Sequence, residues 1–198
     1  MMGLVPYNIS PIQQAIQFGH AVVEYGQKVK YLGEHKQSLN TQYNDWANNW
    51  KTFIILNGGI SNHSQNRYQS DPFIGSMETN LSTLEENKIK LATFYEPDLN
   101  DMLSAIVFIV DERVFNKEDY PDFINWYIKN INWCDLPSHI MTSFKSLEDY
   151  ARYTEEVING TRYGSSQPDN TNYDKWVEFI GGKKNIFLRG FLKNLKLA

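Results

Sequence analysis

Near the start of the chain, SPIQQAIQFGHAVVEYG (10–26) carries Gln13, Gln17, His20 and Glu24. At about 100° per residue these four fall within a sector of roughly 60°, a narrow polar ridge along one side of a helix. Histidine is the side-chain type that titrates near neutrality, with a reference pKa of about 6.5, so His20 is the natural general base or water-positioner for a hydrolysis. Far downstream, FYEPDLNDMLSAI (94–106) offers Asp98 in a turn and Ser104 early in an apolar run. If folding brings that turn against the ridge, Gln13, Gln17, His20, Asp98 and Ser104 surround one cleft. His20 would take a proton from water, and Asp98 would fix the imidazole tautomer or hold the water. Gln17, Ser104 or a backbone amide would donate to the oxyanion, where one donor is typically worth roughly 3 kcal/mol. Each residue also has a plain structural alternative. The ridge is then a solvated helix face, His20 bonds a neighbouring carbonyl, Asp98 serves the turn, and Ser104 fills a small space in a buried strand.

The elements that must position these residues are legible in outline. LVPYNIS (4–10) reads as a first strand, with Pro6 restricting it to a sheet edge or a strand end. Ser10-Pro11 starts a helix over 11–25, serine capping and proline fitting the first turn, and Gly26 marks its stop. Ile12, Ile16, Gly19 and Val23 line one apolar face, widened by Ala15, Phe18 and Val22. Gly19, beside His20, leaves room for another backbone. Residues 26–45 read as a polar connection with at most a short helix. WKTFIILNGG (50–59) reads as a strand closed by Asn57-Gly58-Gly59, 60–76 as a loop, and 77–88 as a helix. IKLATFYE (89–96) and MLSAIVFIV (102–110) read as strands, the second buried on both faces. The turn between them is too short for a crossover helix, so they pair antiparallel. The expected fold is α/β: a small mixed sheet of about four strands between helices, with a C-terminal helical extension. The expected division is an α/β core over 1–113 and a helical extension over 114–198 packed on it. In the extension, 120–133 and 143–159 read as amphipathic helices, 162–174 as a loop, and 185–197 as a final helix. That helix sets a Phe187–Phe191–Leu195 stripe opposite Arg189, Lys193 and Lys196.

The 198 residues, 41% hydrophobic and 21% charged, have a globular composition. No apolar run approaches the length that spans a bilayer, and the first residues lack the pattern of a secretory signal, so no membrane partner and a cytoplasmic location are expected. Cys134 is the single cysteine, which excludes an intrachain disulfide, fits a reducing compartment and reads as a core thiol. Four scattered histidines, His20, His35, His63 and His139, give no zinc spacing, and neither metal nor cofactor is expected. The net charge of −4 argues against generic DNA coating. Residues 181–198 nevertheless carry +5, leaving −9 on the rest. A basic end on an acidic body marks either a phosphate-facing surface or an ordinary cationic helix. Trp46 and Trp50 in WANNWKTF read either as core anchors or as surfaces for stacking on bases.

QFGHA (17–21), on a helix after a first strand, resembles the QxxHA signature of type II peptidyl-tRNA hydrolases. FYEPDLNDMLSAI lies where that family carries an aspartate-led loop between its last two strands. The SPIQQAIQ helix start, EPDLN…LSAI and the C-terminal FLRGFLKNLKLA are similar to bacteriophage-encoded relatives of the family. The resemblance covers roughly residues 4–30, 50–112 and the last dozen. It implies a small mixed sheet between helices, hydrolysis of the ester joining a peptide to the terminal ribose of tRNA, and tRNA or peptidyl-tRNA as partner in the (host) cytoplasm. It implies catalytic roles for Gln17, His20, Asp98 and, approximately, Ser104. Gln13, Asn100, Lys184, Arg189 and Lys193 become candidates for substrate binding. The chain departs from the family in having Gln13 where a lysine is usual, and Leu99, Asn100, Asp101 and Met102 where the loop has Gly, Arg and Thr. Those departures, the acidic body and the long helical tail motivate an alternative: a catalytically inactive binding or assembly protein on the same scaffold, self-associating or meeting a partner through 114–198.

Overall fold

The computed structural model describes residues 1–32, 37–61, 75–164 and 166–198, and of 32 and 37–40 the backbone alone. It divides into two compact units, residues 1–110 with 190–198, and residues 111–189.

The first unit is a small mixed α/β sheet. β1 (Met2–Pro6), β2 (Ile54–Gly59), β3 (Leu91–Glu96) and β4 (Met102–Phe108) lie in the order β2-β1-β4-β3. β1 and β2 are parallel, while β4 runs antiparallel to both β1 and β3. The near-continuous apolar run of β4 has its expected consequence, since all seven residues are buried. Pro6 stands at the end of β1, where the missing amide costs no ladder bond. α1 (Pro11–Leu32) packs on β1, β3 and β4, and α3 (Ser76–Glu86) on β2, β1 and β4. They cover opposite faces. A Cβ on Gly3 would meet the Phe18 ring of α1 at 2.4 Å, so only glycine lets α1 lie this close to β1. The next residue, Leu4, points the other way, towards Met77 of α3.

α1 differs from the sequence expectation in length and in orientation. It runs seven residues past 25, and Gly26 sits inside it, where a Cβ would meet the Tyr43 hydroxyl at 2.9 Å. Gly26 therefore admits a neighbour instead of stopping the helix. The buried face is Gln17, Phe18, Ala21, Tyr25 and Val29, whereas Ile12 (74% exposed), Ile16 and Val23 face outward. The extra two turns explain this. With the helix running to 32, the arc 18-21-22-25-29 carries two large aromatics and is the longest apolar line, and it outcompetes the arc that begins at Ile12. Among the described residues nothing lies within 4 Å of a Cβ on Gly19, so none of their backbone makes the close approach expected there.

Smaller differences follow local chemistry. The stretch 26–45, read as a connection with a short helix, holds the end of α1 and the short helix α2 (Gln37–Asp45), and one π-helical turn (Trp46–Trp50) follows it. Trp46 is buried and donates its indole N–H to the Thr52 carbonyl, while Trp50 is 61% exposed and is no core anchor. Most of the loop expected over 60–76, and His35 and His63, lie outside the described residues. The last helix, α8 (Lys183–Leu192), stops five residues before 197. The chain then pairs antiparallel with β2: the Asn57 amide donates to the Lys196 carbonyl (2.8 Å) and the Ala198 amide to the Ile55 carbonyl (3.1 Å). The last nine residues thus belong with the sheet.

Residues 111–189 hold α4 (Phe123–Asn130), α5 (Ser138–Ser143), α6 (Leu147–Ile158), α7 (Asn170–Phe179) and most of α8. Their core is aromatic, with Phe123, Trp126, Tyr127, Tyr150, Tyr153, Tyr173 and Trp176 buried together. α7 starts inside the expected loop because Asp169 caps it, accepting the Asn172 amide (3.1 Å) and the Tyr127 hydroxyl (2.6 Å). Cys134 is exposed in a 3-10 turn (Trp133–Asp135), not a core thiol. Its small side chain is passed over in a cluster dominated by rings.

Candidate functional site

Of the residues singled out in α1 and in the β3–β4 hairpin, Gln17 and Ser104 meet. Ser104 is fully buried, and its Oγ lies 3.0 Å from Gln17 Oε1 and 3.1 Å from the Phe94 carbonyl, either of which accepts its one proton. Its direction comes from a bulge. Phe94 pairs with Ala105 and Tyr95 with Leu103, so Ser104 is the residue of β4 left without a partner in β3. An extra residue of this kind bends a strand and re-aims a side chain. Gln17, 5% exposed, closes the network, donating through Nε2 to Glu96 Oε2. Glu96, half-buried at the end of β3, accepts the Asp98 amide on Oε1 at 3.3 Å and so caps the 3-10 turn Pro97–Leu99.

His20 lies one helical turn beyond Gln17. Its ring meets the Phe94 ring edge-on, 4.5 Å between centroids at 61°, and the residue is exposed. It forms no hydrogen bond or ion pair with Asp98 or Ser104. The Asp98 side chain is exposed and likewise unbonded to His20, because the amide of Asp98, not its carboxylate, is what the turn engages. Asn100 and Asp101 both take positive φ (57° and 54°), the left-handed conformation that these two residue types tolerate best among side-chain-bearing residues. That makes Asn100, which is exposed, the pivot of the turn.

Gln13 is drawn away from the cleft. Its Oε1 accepts from the Ser10 amide (3.1 Å) and hydroxyl (3.2 Å), while the Gln13 amide donates back to Ser10 Oγ (3.3 Å). Ser10-Pro-Ile-Gln13 is a capping box, and the S-x-x-Q spacing carried that signal in the sequence. Arg189, expected to face phosphate, is instead a clamp. Its side chain is 7% exposed, and its guanidinium donates to the Arg113 and Tyr120 carbonyls and to Asp122. A planar cation with five donors satisfies such converging carbonyls better than lysine would. Lys184 and Lys193 are exposed, the first in the unit of residues 111–189 and the second in the sheet unit.

Glu96 is the member of the site that residue-type reasoning missed. Its signal was the position immediately before Pro-Asp, where a carboxylate can cap the turn that follows. Among the described residues no group of three or more His, Cys, Asp or Glu is arranged to hold a metal ion. Among the same residues no helix is long and apolar enough to cross a membrane. Chemically, the site joins an exposed imidazole, an exposed carboxylate and a half-buried carboxylate oriented by two donors, resting on a sealed Gln–Ser pair. No family model, no curated protein and no solved structure matches the chain.

Proposed function

We propose that the chain hydrolyses the ester joining a peptide to the terminal ribose of tRNA, with His20 moving the proton. The observation that supports this is convergence. Gln17 and His20, three residues apart on α1, meet Phe94, Glu96 and Ser104 of a distant hairpin, which are the segments that resemble the type II peptidyl-tRNA hydrolases. In the reaction, a water oxygen bonds to the ester carbonyl carbon as a proton passes to the imidazole. The C–O bond to the ribose then breaks, and the imidazole returns the proton to the leaving ribose oxygen. Ser104 and Gln17, buried and bonded to each other, shape the floor of the site and leave the oxyanion to other donors.

The test is release of an N-blocked amino acid from its tRNA ester. Activity in the parent chain, with a loss of about 10²-fold or more in His20→Ala, is expected of a general base. A parent chain without turnover on this substrate removes the reading. One observation favours a second reading, a non-catalytic binding or assembly protein. Two of the four side chains that the resemblance would make catalytic, Gln17 and Ser104, are engaged with each other and closed to solvent. A parent chain that retains intact peptidyl-tRNA, or that forms a stable oligomer by light scattering without turnover, would establish it.

A further inference from the structure

Glu96 and Asp98 are the two carboxylates at the tip of the β3–β4 hairpin that α1 packs against, and they are held very differently. Both oxygens of Glu96 have a protein donor, Gln17 Nε2 on one and the Asp98 amide on the other, whereas the Asp98 carboxylate is exposed. A carboxylate has about four acceptor sites, so two remain on Glu96 after these bonds. The neighbours fix where they face. Phe94 and Glu96, two apart on β3, share one side of the strand. Gln17 and His20 are one turn apart on α1, a rise of about 4.5 Å. Gln17 meets Glu96 while His20 meets Phe94, so two side-by-side contacts set His20 and Glu96 at neighbouring positions along one α1–β3 seam, without an ion pair between them.

We propose that Glu96, rather than Asp98, is the carboxylate that orients the attacking water beside His20. The proposal rests on the hydrolase reading. Glu96 accepts a hydrogen bond from the water hydrogen that is not transferred. His20 takes the other proton and later delivers it to the ribose oxygen, and Glu96 ends the cycle as it began. Preorganised groups of this kind need no rearrangement as charge develops.

The charge of Glu96 and its hydrogen bonds are separable. In Glu96→Gln the Gln17 amide can turn over, accepting from the new amide and donating to Ser104 Oγ, which then donates to the Phe94 carbonyl. The network is satisfied without the charge. In Glu96→Asp the charge stays but the reach shortens. If the charge acts, Glu96→Gln loses tenfold or more in kcat with KM within about threefold, Glu96→Asp retains more activity than Glu96→Gln, and Asp98→Asn loses less than Glu96→Gln. If Glu96 only braces the turn, the order reverses: Glu96→Gln is near parental and Glu96→Asp is impaired. That order, an Asp98→Asn loss equal to that of Glu96→Gln, or a Glu96→Gln chain that does not fold by circular dichroism, overturns the proposal. In the first two cases the parent is active and the hydrolase reading stands. A parent without turnover removes both.

Discussion

Ser104 Oγ lies 3.0 Å from Gln17 Oε1, which ties the bulge of β4 to the N-terminal half of α1 in a place closed to water. Removing the hydroxyl leaves a buried amide oxygen without its donor. Ser104→Ala should therefore lower unfolding stability by about 1–3 kcal/mol in urea denaturation. Because the partners touch, Ser104→Ala and Gln17→Ala should couple, by about 0.5–3 kcal/mol in a double-mutant cycle. Additive effects would mean that the pair is not formed.

The orientation of α1 can be tested with two residues of opposite exposure. Phe18 is buried against Gly3, and Phe18→Ala should cost about 3–5 kcal/mol. Ile12, one of the most outward side chains, should tolerate Ile12→Ala within about 0.5 kcal/mol. Comparable losses at the two positions would restore the apolar face that begins at Ile12.

Tyr25 makes the alkaline side of stability predictable. Burial pushes its phenol up to about 12 from 10.0, so the folded state favours the neutral form. The stability this gives is complete below pH 10 and is lost as pH rises through 12. Tyr25→Phe should flatten the fall in denaturation midpoint between pH 10 and 12, with parent and variant converging as the pH returns to neutral.

Asp111 should act at the acidic side. Arg113 donates to it three times, through its backbone amide, Nε and NH2, and these bonds hold the carboxyl below its ordinary 3.8. Its contribution is present above pH 3.8 and disappears as pH falls through the lower folded value. Asp111→Asn should be less stable than the parent at pH 7, and the difference should shrink as pH falls below 3.8. A constant difference across that range would show that the charge is not what matters. Partial exposure of both side chains screens the pair and keeps the effect modest.

Much of the sheet is legible from the chain itself. The apolar run at 102–108, its short turn from β3 and Pro6 at a strand end are local signals that packing did not override. The meeting of α1 with the hairpin was legible as well, because the polar ridge and the turn each carried chemistry-bearing side chains. What escaped was set by neighbours distant in sequence. Gly26 resembled a helix stop until Tyr43 filled the space beside it. Gln13 belonged to a ridge until Ser10 engaged it. Gln17, polar and inside, would be read as outward by any rule based on hydropathy alone, and only Ser104 and Glu96 make its burial tolerable. Arg189 resembled a phosphate ligand because a sequence does not display the carbonyls of Arg113 and Tyr120.

The pairing of residues 196–198 with β2 has a consequence for solubility. Without it, the Asn57 amide and the Ile55 carbonyl would stand open along the flank of a parallel pair, a template on which a strand from another molecule can add. The chain's own tail occupies that template first, so clipping it should turn a quiet border into the place where aggregation begins.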